Sequence, residues 1–400
     1  MSGIVVGNGH DPILFHPAVP TVIAFAPSRD AAYSLTPETR RGTLQMGSHS
    51  YLGLEHHSAL KAAVRTATER YGTQFASPRT AVSCGLYVRL EELLHALYGR
   101  PVVASSSPAM AHLVALPALV SRGDLVVLDA QVPASVRLTA QLLAGQGVEL
   151  QVVRHSDLQA LEGHLRASRQ TGRKAWYVGC GVYAQHGDPA PLRGLRELLG
   201  RYEGLHLYLN DGHGMSWTGP RGVGYVESRI GAHPRVVMTV ALDKAFAASG
   251  AVLVLPDDRF EQRIRDRGAA LLCSGPLQPP MMGAAVASAE LHLSGEVEQH
   301  QRKLQDLVEH CARGLAEAGL PQTRSNDGPL FFVPAGQRGA GPTLAERLEA
   351  DGFATARTGP VGATPPLGIR FAVNASLQPS DLDRFIDVLA HHHRRAGRAG

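Results

Sequence analysis

Short apolar runs recur through the middle of the chain with helix-like stretches between them, and this alternation restricts the fold more than any other feature. The runs are Leu125–Leu128, Leu150–Val153, Ala175–Val178, Leu205–Leu209 and Val236–Val240. Their apolar residues are mostly consecutive rather than alternating, which marks strands buried on both faces. Helical segments lie at Ala134–Ala144 and Leu192–Leu199. Ahead of the first run, Arg89–Tyr98 places Leu90, Leu93, Leu94 and Leu97 on one face. Apolar strands between helices predict an α/β fold with a mainly parallel sheet covered on both sides. In such sheets ligands bind beyond the carboxyl ends of the strands. Asn210 and His213 lie just past the fourth run and Lys244 just past the fifth, where a site is expected.

The bulk properties exclude several classes. With 400 residues, the chain can form one large and one small domain, and its 44% apolar content is that of a globular protein. Met110–Val120 falls short of the ~18 apolar residues of a membrane span and contains Pro117, so no membrane contact is expected. No basic stretch leads into an apolar core at the start, so a cytoplasmic location is expected. Cys84, Cys180, Cys273 and Cys311 are scattered, which predicts neither a disulfide framework nor a metal site. The net charge of +4 is dispersed, and His391-His392-His393-Arg394-Arg395 reads as a solvated helix end rather than a nucleic-acid surface. Pro12, Pro17, Pro20, Pro27 and Pro37 predict an irregular arm over residues 1–45. A large domain over 46–283 follows, then a small C-terminal α/β domain over 284–400. The small domain contains Leu330–Val333, Ile369–Val373 and a closing helix at Pro379–Ala390.

Within this frame, Val236–Gly250 carries the most chemistry. A β-branched run delivers Lys244 into a turn of small residues ending in Ser249-Gly250. Desolvation at the end of a buried strand lowers a lysine's pKa and yields an amine able to form a Schiff base with a carbonyl. Taken alone, the segment fits a solvated strand-end lysine equally well. Upstream lie Leu207-Tyr208-Leu209-Asn210-Asp211-Gly212-His213-Gly214, the glycine-rich Gly219–Gly224, and Trp176–Tyr183 running into Gly187-Asp188-Pro189-Ala190-Pro191-Leu192. Together these segments resemble the α-oxoamine synthases, fold-type I pyridoxal-phosphate enzymes that include the 8-amino-7-oxononanoate, serine palmitoyl and autoinducer ketone synthases. The resemblance runs in matching order from Ser50-Tyr51-Leu52-Gly53-Leu54, like the family's Asn-Asp-Tyr-Leu-Gly-Leu, to Ile369-Arg370-Phe371-Ala372-Val373-Asn374.

The resemblance implies an aminotransferase-like fold with a seven-stranded sheet, pyridoxal phosphate as cofactor, and a homodimer. The implied substrates are an amino acid or amine and an acyl thioester, on coenzyme A (acyl-CoA) or an acyl carrier protein. Lys244 matches the catalytic lysine that holds the cofactor, and His213 the histidine at its phenolic oxygen. Ser106 and Ser107 match the backbone that opens a helix onto the phosphate, with Pro108 removing one N–H. Arg370 matches the arginine that grips the substrate carboxylate through paired hydrogen bonds. Ser274, in Ser274-Gly275-Pro276, matches the segment donated across the dimer to the substrate.

Four positions depart from the family. Asn210 replaces the aspartate that keeps the pyridine nitrogen protonated, and an amide supplies no such charge. The adjacent Asp211 points to the opposite face of a regular strand. Pro133 replaces the histidine that stacks on the ring, with His112 as the alternative cover. Ala184 replaces a serine at the phenolic oxygen. Ala241 replaces a phosphate-binding hydroxyl, for which Thr239 is the nearest substitute. The family reaction joins an acyl thioester to an amino-acid α-carbon with loss of CO₂, here in a specialised biosynthetic pathway. The departures leave open acyl transfer or amide formation without that cofactor chemistry, and a non-catalytic partner subunit.

Overall fold

A computed structural model of the protein describes residues 44–79, 82–321, 328–334, 340–358 and 368–397. The expected N-terminal arm lies outside the described residues up to position 43, and its last two residues, Leu44–Gln45, form strand β1. Helices α1 (Ser58–Tyr71) and α2 (Gly85–Tyr98) lead into β2 (Val102–Ser105). The βα alternation then runs α3 (Pro108–Leu119), β3 (Leu125–Asp129), α4 (Ala134–Gly145), β4 (Glu149–Val153), α5 (Leu158–Gln170), β5 (Ala175–Cys180), α6 (Leu192–Arg201) and β6 (Leu205–Asn210). After α7 (Tyr225–Ile230) come β7 (Val236–Ala241) and β8 (Ala251–Val254). Helices α8 (Asp258–Arg267), α9 (Ala269–Cys273), α10 (Pro279–Ser294) and α11 (Val297–Glu317) follow. The chain closes with β9 (Leu330–Pro334), α12 (Ala340–Ala350), β10 (Phe353–Ala354), β11 (Ala356–Thr358), β12 (Gly368–Ala372) and α13 (Pro379–Gly397).

Seven strands form one sheet in the order β2-β8-β7-β6-β5-β3-β4. Only β8 runs against the others, so the sheet is mainly parallel as the sequence pattern predicts. The five runs read from sequence are β3 to β7. Strands β2 and β8 are four-residue stretches buried at every position, too short for periodicity to mark. Period-two alternation divides the sheet's side chains. Leu125, Val127, Tyr177, Leu207 and Met238 pack under α2, α5, α6 and α10, whereas Val126, Leu128, Val178, Tyr208 and Val237 pack under α3 and α4.

A second core forms around the antiparallel sheet β11-β12-β9. Phe331, Val333, Ile369 and Phe371 meet Leu307 and Val308 of α11, Leu348 of α12 and Phe385 of α13. Phe331 stacks on Phe371 with ring centroids 5.2 Å apart, and burying each such side chain stabilises the fold by roughly 1.5–3 kcal/mol. The expected division at residue 283 falls inside α10, whose Met282 and Ala285 face the large core while Ala287 and Leu291 face the small one.

Candidate active site

Lys244 stands in the turn that joins β7 to β8. Backbone hydrogen bonds from Leu242 to Gly250, Ala248 to Leu242 and Ala247 to Lys244 close this turn. Phe246 plugs it from below: the side chain is fully buried, and its carbonyl accepts from Ser288 Oγ on α10. Gly250, at φ +98°, lets the turn lie against the end of β2, where a Cβ would stand 2.8 Å from the Ser105 carbonyl. The lysine is not fully desolvated, contrary to the strand-end expectation. Its side chain keeps 18% of its surface, and Nζ lies 3.3 Å from Asp243 Oδ1. The charge of Lys244 nonetheless reaches inward, helping to lower the pKa values of His49, His112 and His213.

Asn210 ends β6 in register with Thr239 of β7. Its Oδ1 accepts the Gly212 N–H at 2.9 Å. A backbone N–H can only donate, so this bond fixes the amide's orientation. Asn210 Nδ2 therefore faces His112 Nε2, 3.4 Å away. His112 Nδ1 in turn lies 2.9 Å from the Tyr208 hydroxyl, which Thr239 also reaches. Burial and the nearby Lys244 charge lower the His112 pKa to about 4. The neutral ring accepts at Nε2 and donates from Nδ1. Gly212 is required here, because a Cβ would stand 2.9 Å from Ala241 Cβ and 3.0 Å from Asn210 Oδ1.

Two of the expected site residues belong to this relay. His112 has no exposed surface and both ring nitrogens are engaged, on Asn210 and Tyr208. Thr239 is likewise fully buried, with its hydroxyl on Tyr208. Asp211 points the opposite way, as strand alternation requires. It is fully buried and accepts the Val226 N–H at 2.9 Å. Gly181, Gly214 and Gly224 press so closely around it that a Cβ on any of them would collide with its carboxyl.

His213 and Tyr51 form the next wall. Tyr51 Oη lies 2.7 Å from His213 Nδ1. Tyr51 is fully buried, which raises its pKa well above the phenolic range and keeps the hydroxyl protonated. Its O–H donates to Nδ1, leaving the proton of the neutral imidazole on Nε2. Burial, then the Lys244, His49 and Arg370 charges, lowers the His213 pKa well below its ordinary value. His49 meets His213 edge to face, with centroids 4.9 Å apart at 84°. Arg370 comes from β12 of the small sheet and donates to the Ala184 carbonyl at 2.9 Å. The Arg370 charge also lowers the His49 and His213 pKa values, so the two sheets meet at this point.

The remaining expected residues lie around this centre or apart from it. Ser106 and Ser107 lead into α3 beside the Lys244 turn, and Ser107 Oγ caps the helix by accepting the Met110 N–H at 3.2 Å. Its hydroxyl is thus engaged, and Pro108 withdraws one N–H from the first turn. Pro133 precedes α4 beyond the end of β3 and presents a half-buried aliphatic ring. Ser274 follows α9 and turns its hydroxyl back onto the Ala270 carbonyl, 2.6 Å away.

A second polar cluster occupies the ends of β3 and β4 and the loop after β5. The Asp129 carboxylate receives His155 Nδ1 at 3.0 Å and the Ser156 and Gln131 N–H groups at 2.8 and 2.7 Å. Asp188 receives His155 Nε2 at 2.5 Å. Burial opposes a charge on His155, but the two carboxylates outweigh it and hold the pKa at about 9.

Sequence reasoning passed over His49, Tyr51 and the His155 clamp as functional or supporting residues. His49 and Tyr51 are two apart in an extended segment, the spacing that puts side chains on one face. Asp129 and His155 each stand at the end of an apolar run. The signals were there, but only the fold brings these residues together.

Pyridoxal phosphate fits this donor set. Lys244 offers an amine beside a helix N-terminus, His213 offers an N–H, and the fixed amide of Asn210 offers a second N–H hydrogen. The phosphate end is the sparser, because Ala241 and the occupied Ser107 and Thr239 hydroxyls add little to the α3 backbone.

Comparison with known proteins speaks to the family and the fold. Residues 41–389 match the family described as aminotransferase class I and II. The 8-amino-7-oxononanoate synthase of Geobacter sulfurreducens is 30% identical over 362 residues, covering 89% of this chain and 90% of that protein. Its counterpart in Alkaliphilus metalliredigens is 27% identical and covers 86% of each chain. Two Mycobacterium tuberculosis proteins provisionally named 8-amino-7-oxononanoate synthase 2 are 30% identical, but the chain spans only 44% of their length. Among solved structures, serine palmitoyltransferase from S. paucimobilis with a bound PLP–myriocin adduct superposes with a TM-score of 0.81 at 21% identity, covering 90% of this chain and 89% of that one. The Francisella tularensis 8-amino-7-oxononanoate synthase gives 0.71 at 17% identity, covering 88% and 98%. At these identities the superpositions show the fold. Among the described residues, no helix is long and apolar enough to cross a membrane.

Proposed function

The chain belongs to the class I and II aminotransferase family, within its α-oxoamine synthase branch, and on that premise we propose that it condenses an acyl thioester with an amino acid. The observation that carries this reading is the convergence of Lys244, His213 and Asn210 at the strand ends with Arg370 arriving from the small sheet. Pyridoxal phosphate would be held by Lys244, by His213 Nε2–H, by the Asn210 amide and by the backbone at Ser106 and Ser107. When bound, the cofactor supplies a carbonyl for the amine and a ring able to accept electron density. Arg370 binds the amino-acid carboxylate. Its partner now is a neutral backbone carbonyl, which leaves the charge of a largely buried guanidinium available to an anion. Pro133 offers an aliphatic face where the family stacks a histidine. The acyl donor is acyl-CoA or an acyl carrier protein, in a specialised biosynthetic pathway. We place the working site in a homodimer, with Ser274-Gly275-Pro276 crossing to the partner.

One observation favours a second reading, acyl transfer to the amino group itself. Asn210 would meet the ring nitrogen of a bound cofactor as a donor, because Gly212 fixes its carbonyl oxygen and His112 holds its amide. A donor pairs with an unprotonated ring nitrogen, which withdraws less electron density than a pyridinium. Deuterium exchange at the amino-acid α-carbon separates the two readings. Under carbon acylation the wild type exchanges, and Asn210→Asp speeds exchange by about 10- to 100-fold, the size of ~1–3 kcal/mol from a buried ion pair. Under nitrogen acylation neither protein exchanges, yet the wild type forms an amide. No product of either kind with any thioester and amino acid would overturn the proposed function.

A further inference from the structure

His49 is the one ionisable side chain at the centre of this site to which the family resemblance gives no task. It stands where the family has an asparagine, in the segment His49-Ser50-Tyr51. The side chain is partly exposed, and among the described residues no hydrogen bond holds either ring nitrogen. Four groups face it: the rings of His213, 4.9 Å away, and Tyr51, 6.1 Å away, and the charges of Lys244 and Arg370.

The neighbouring groups are committed elsewhere. His213 accepts from Tyr51 at Nδ1, so its remaining nitrogen carries a proton and can only donate. His112 is buried with both nitrogens engaged. Lys244 lies beside the Asp243 carboxylate. Among the described residues, His49 is the one of these three imidazoles whose ring nitrogens make no hydrogen bond, and the Arg370 charge that would hold an amino acid reaches it.

We infer that His49 is the proton acceptor for the substrate's amino group. This rests on the proposed reaction, since either mode of acylation requires a neutral amine. The N–H bond of the substrate ammonium breaks, its electron pair stays on nitrogen, and the proton moves to a ring nitrogen of His49. The imidazolium then returns that proton to the thiolate released from the acyl thioester, and His49 is neutral again; under nitrogen acylation the second proton lost from the amine passes to solvent. The site couples this step to binding. Burial, then the Arg370 and Lys244 charges, holds the pKa of His49 at about 4, too low for an effective base. A substrate carboxylate on Arg370 offsets the second of these causes, so the amino acid strengthens the base that will deprotonate it.

Two measurements on the full-length, cofactor-loaded protein test this. In steady-state turnover with L-alanine or L-serine and an acyl-CoA, His49→Asn and His49→Ala should lower kcat by about 100-fold, the lower range for a general base. KM should change little, the acid limb of the pH profile should vanish, and added imidazole should restore turnover in His49→Ala. A raised KM with kcat intact would make His49 a binding group only and overturn the inference. Independently of turnover, NMR of histidine-labelled protein, with His49→Asn to identify the signal, follows the His49 titration. Excess glycine, L-alanine or L-serine should move it upward in the wild type and leave it unmoved in Arg370→Gln. If all three leave it unmoved in the wild type, the coupling is absent and the inference fails. If it moves but no acylated product forms, the proposed reaction fails while the proton acceptor stands.

Discussion

Two polar clusters share the carboxyl edge of the same sheet, and their charges are arranged in opposite ways. At the ends of β3 and β4, Asp129, His155 and Asp188 pair their charges with one another. The imidazole bridges two carboxylates, and burial is outweighed by their pull. At the ends of β6 and β7 the groups are cationic or neutral and only partly satisfied. Lys244 has one exposed acidic neighbour, Arg370 holds a backbone carbonyl, and His49 has no hydrogen bond among the described residues. The nearest buried carboxylate, Asp211, is turned to the far face. A cluster that satisfies itself stabilises the fold, whereas one left short of negative charge is prepared to receive it. The contrast supports the proposed reading, in which the second cluster takes an anionic substrate and a phosphate-bearing cofactor.

The largest test of that contrast is Lys244→Ala. If the unsatisfied cluster is the catalytic one, the variant should lose the visible absorbance of bound cofactor and turnover by on the order of 10⁴-fold or more. Its urea midpoint should change little, because Lys244 contributes only a solvent-screened ion pair to the fold. Turnover that survives while the absorbance disappears would move the chemistry away from the cofactor.

His155→Gln probes the opposite cluster and should reverse the pattern, with stability falling and turnover largely kept. Removing the imidazole leaves Asp129, which has no exposed surface, without its cation, a loss of about 3 kcal/mol. The pH dependence has a definite sign. The folded pKa of about 9 lies above the ordinary 6.5. The clamp therefore contributes fully below pH 6.5, weakens as pH rises, and is lost above 9. The stability gap between wild type and variant, read from urea melts, should narrow across that window. A gap that is constant with pH would show that the ring serves through packing alone.

How much of this was legible in the sequence follows from the range of each interaction. The strands β3, β5, β6 and β7 declared themselves because burial on both faces demands consecutive apolar residues, whereas the edge strand β4 was legible although only Val153 in it is fully buried. Lys244, Asn210 and His213 could be placed because each follows a strand end directly, where parallel sheets hold their sites. The partners of His112 and Thr239 were not legible for one reason: sequence shows that a polar group is near a strand end but not which face it joins. Thr239 sits in register with Asn210, yet Tyr208 takes its hydroxyl. His49 was invisible as a proton acceptor because its freedom is defined by what other residues do. Tyr51 occupies His213, Asn210 and Tyr208 occupy His112, and all those partnerships are long-range.

The smallest expected effect concerns Asp211, which belongs to neither cluster although it adjoins Asn210. Burial raises its pKa to about 8, against the pull of the Val226 and Tyr225 N–H groups, and among the described residues Oδ1 has no hydrogen-bond partner. An acid whose folded pKa lies above the ordinary 3.8 is favoured in its neutral form. Ionisation then costs stability progressively as pH rises from 3.8 to 8, and the cost is constant above that. Asp211→Asn keeps the shape and the carbonyl acceptor but removes the charge. Its own N–H₂ enters the glycine-lined space around Oδ1, which offsets part of the gain. The variant should therefore gain on the wild type steadily as pH rises from 5 to 8 and hold a constant difference above that. That trend is opposite to the one expected for His155→Gln, where a deficit shrinks with pH, so a single set of urea melts reads both. A loss in Asp211→Asn at every pH would mean that the carboxylate is ionised in the fold. In that case the cationic pocket would have a negative neighbour after all, and the contrast between the two clusters would collapse.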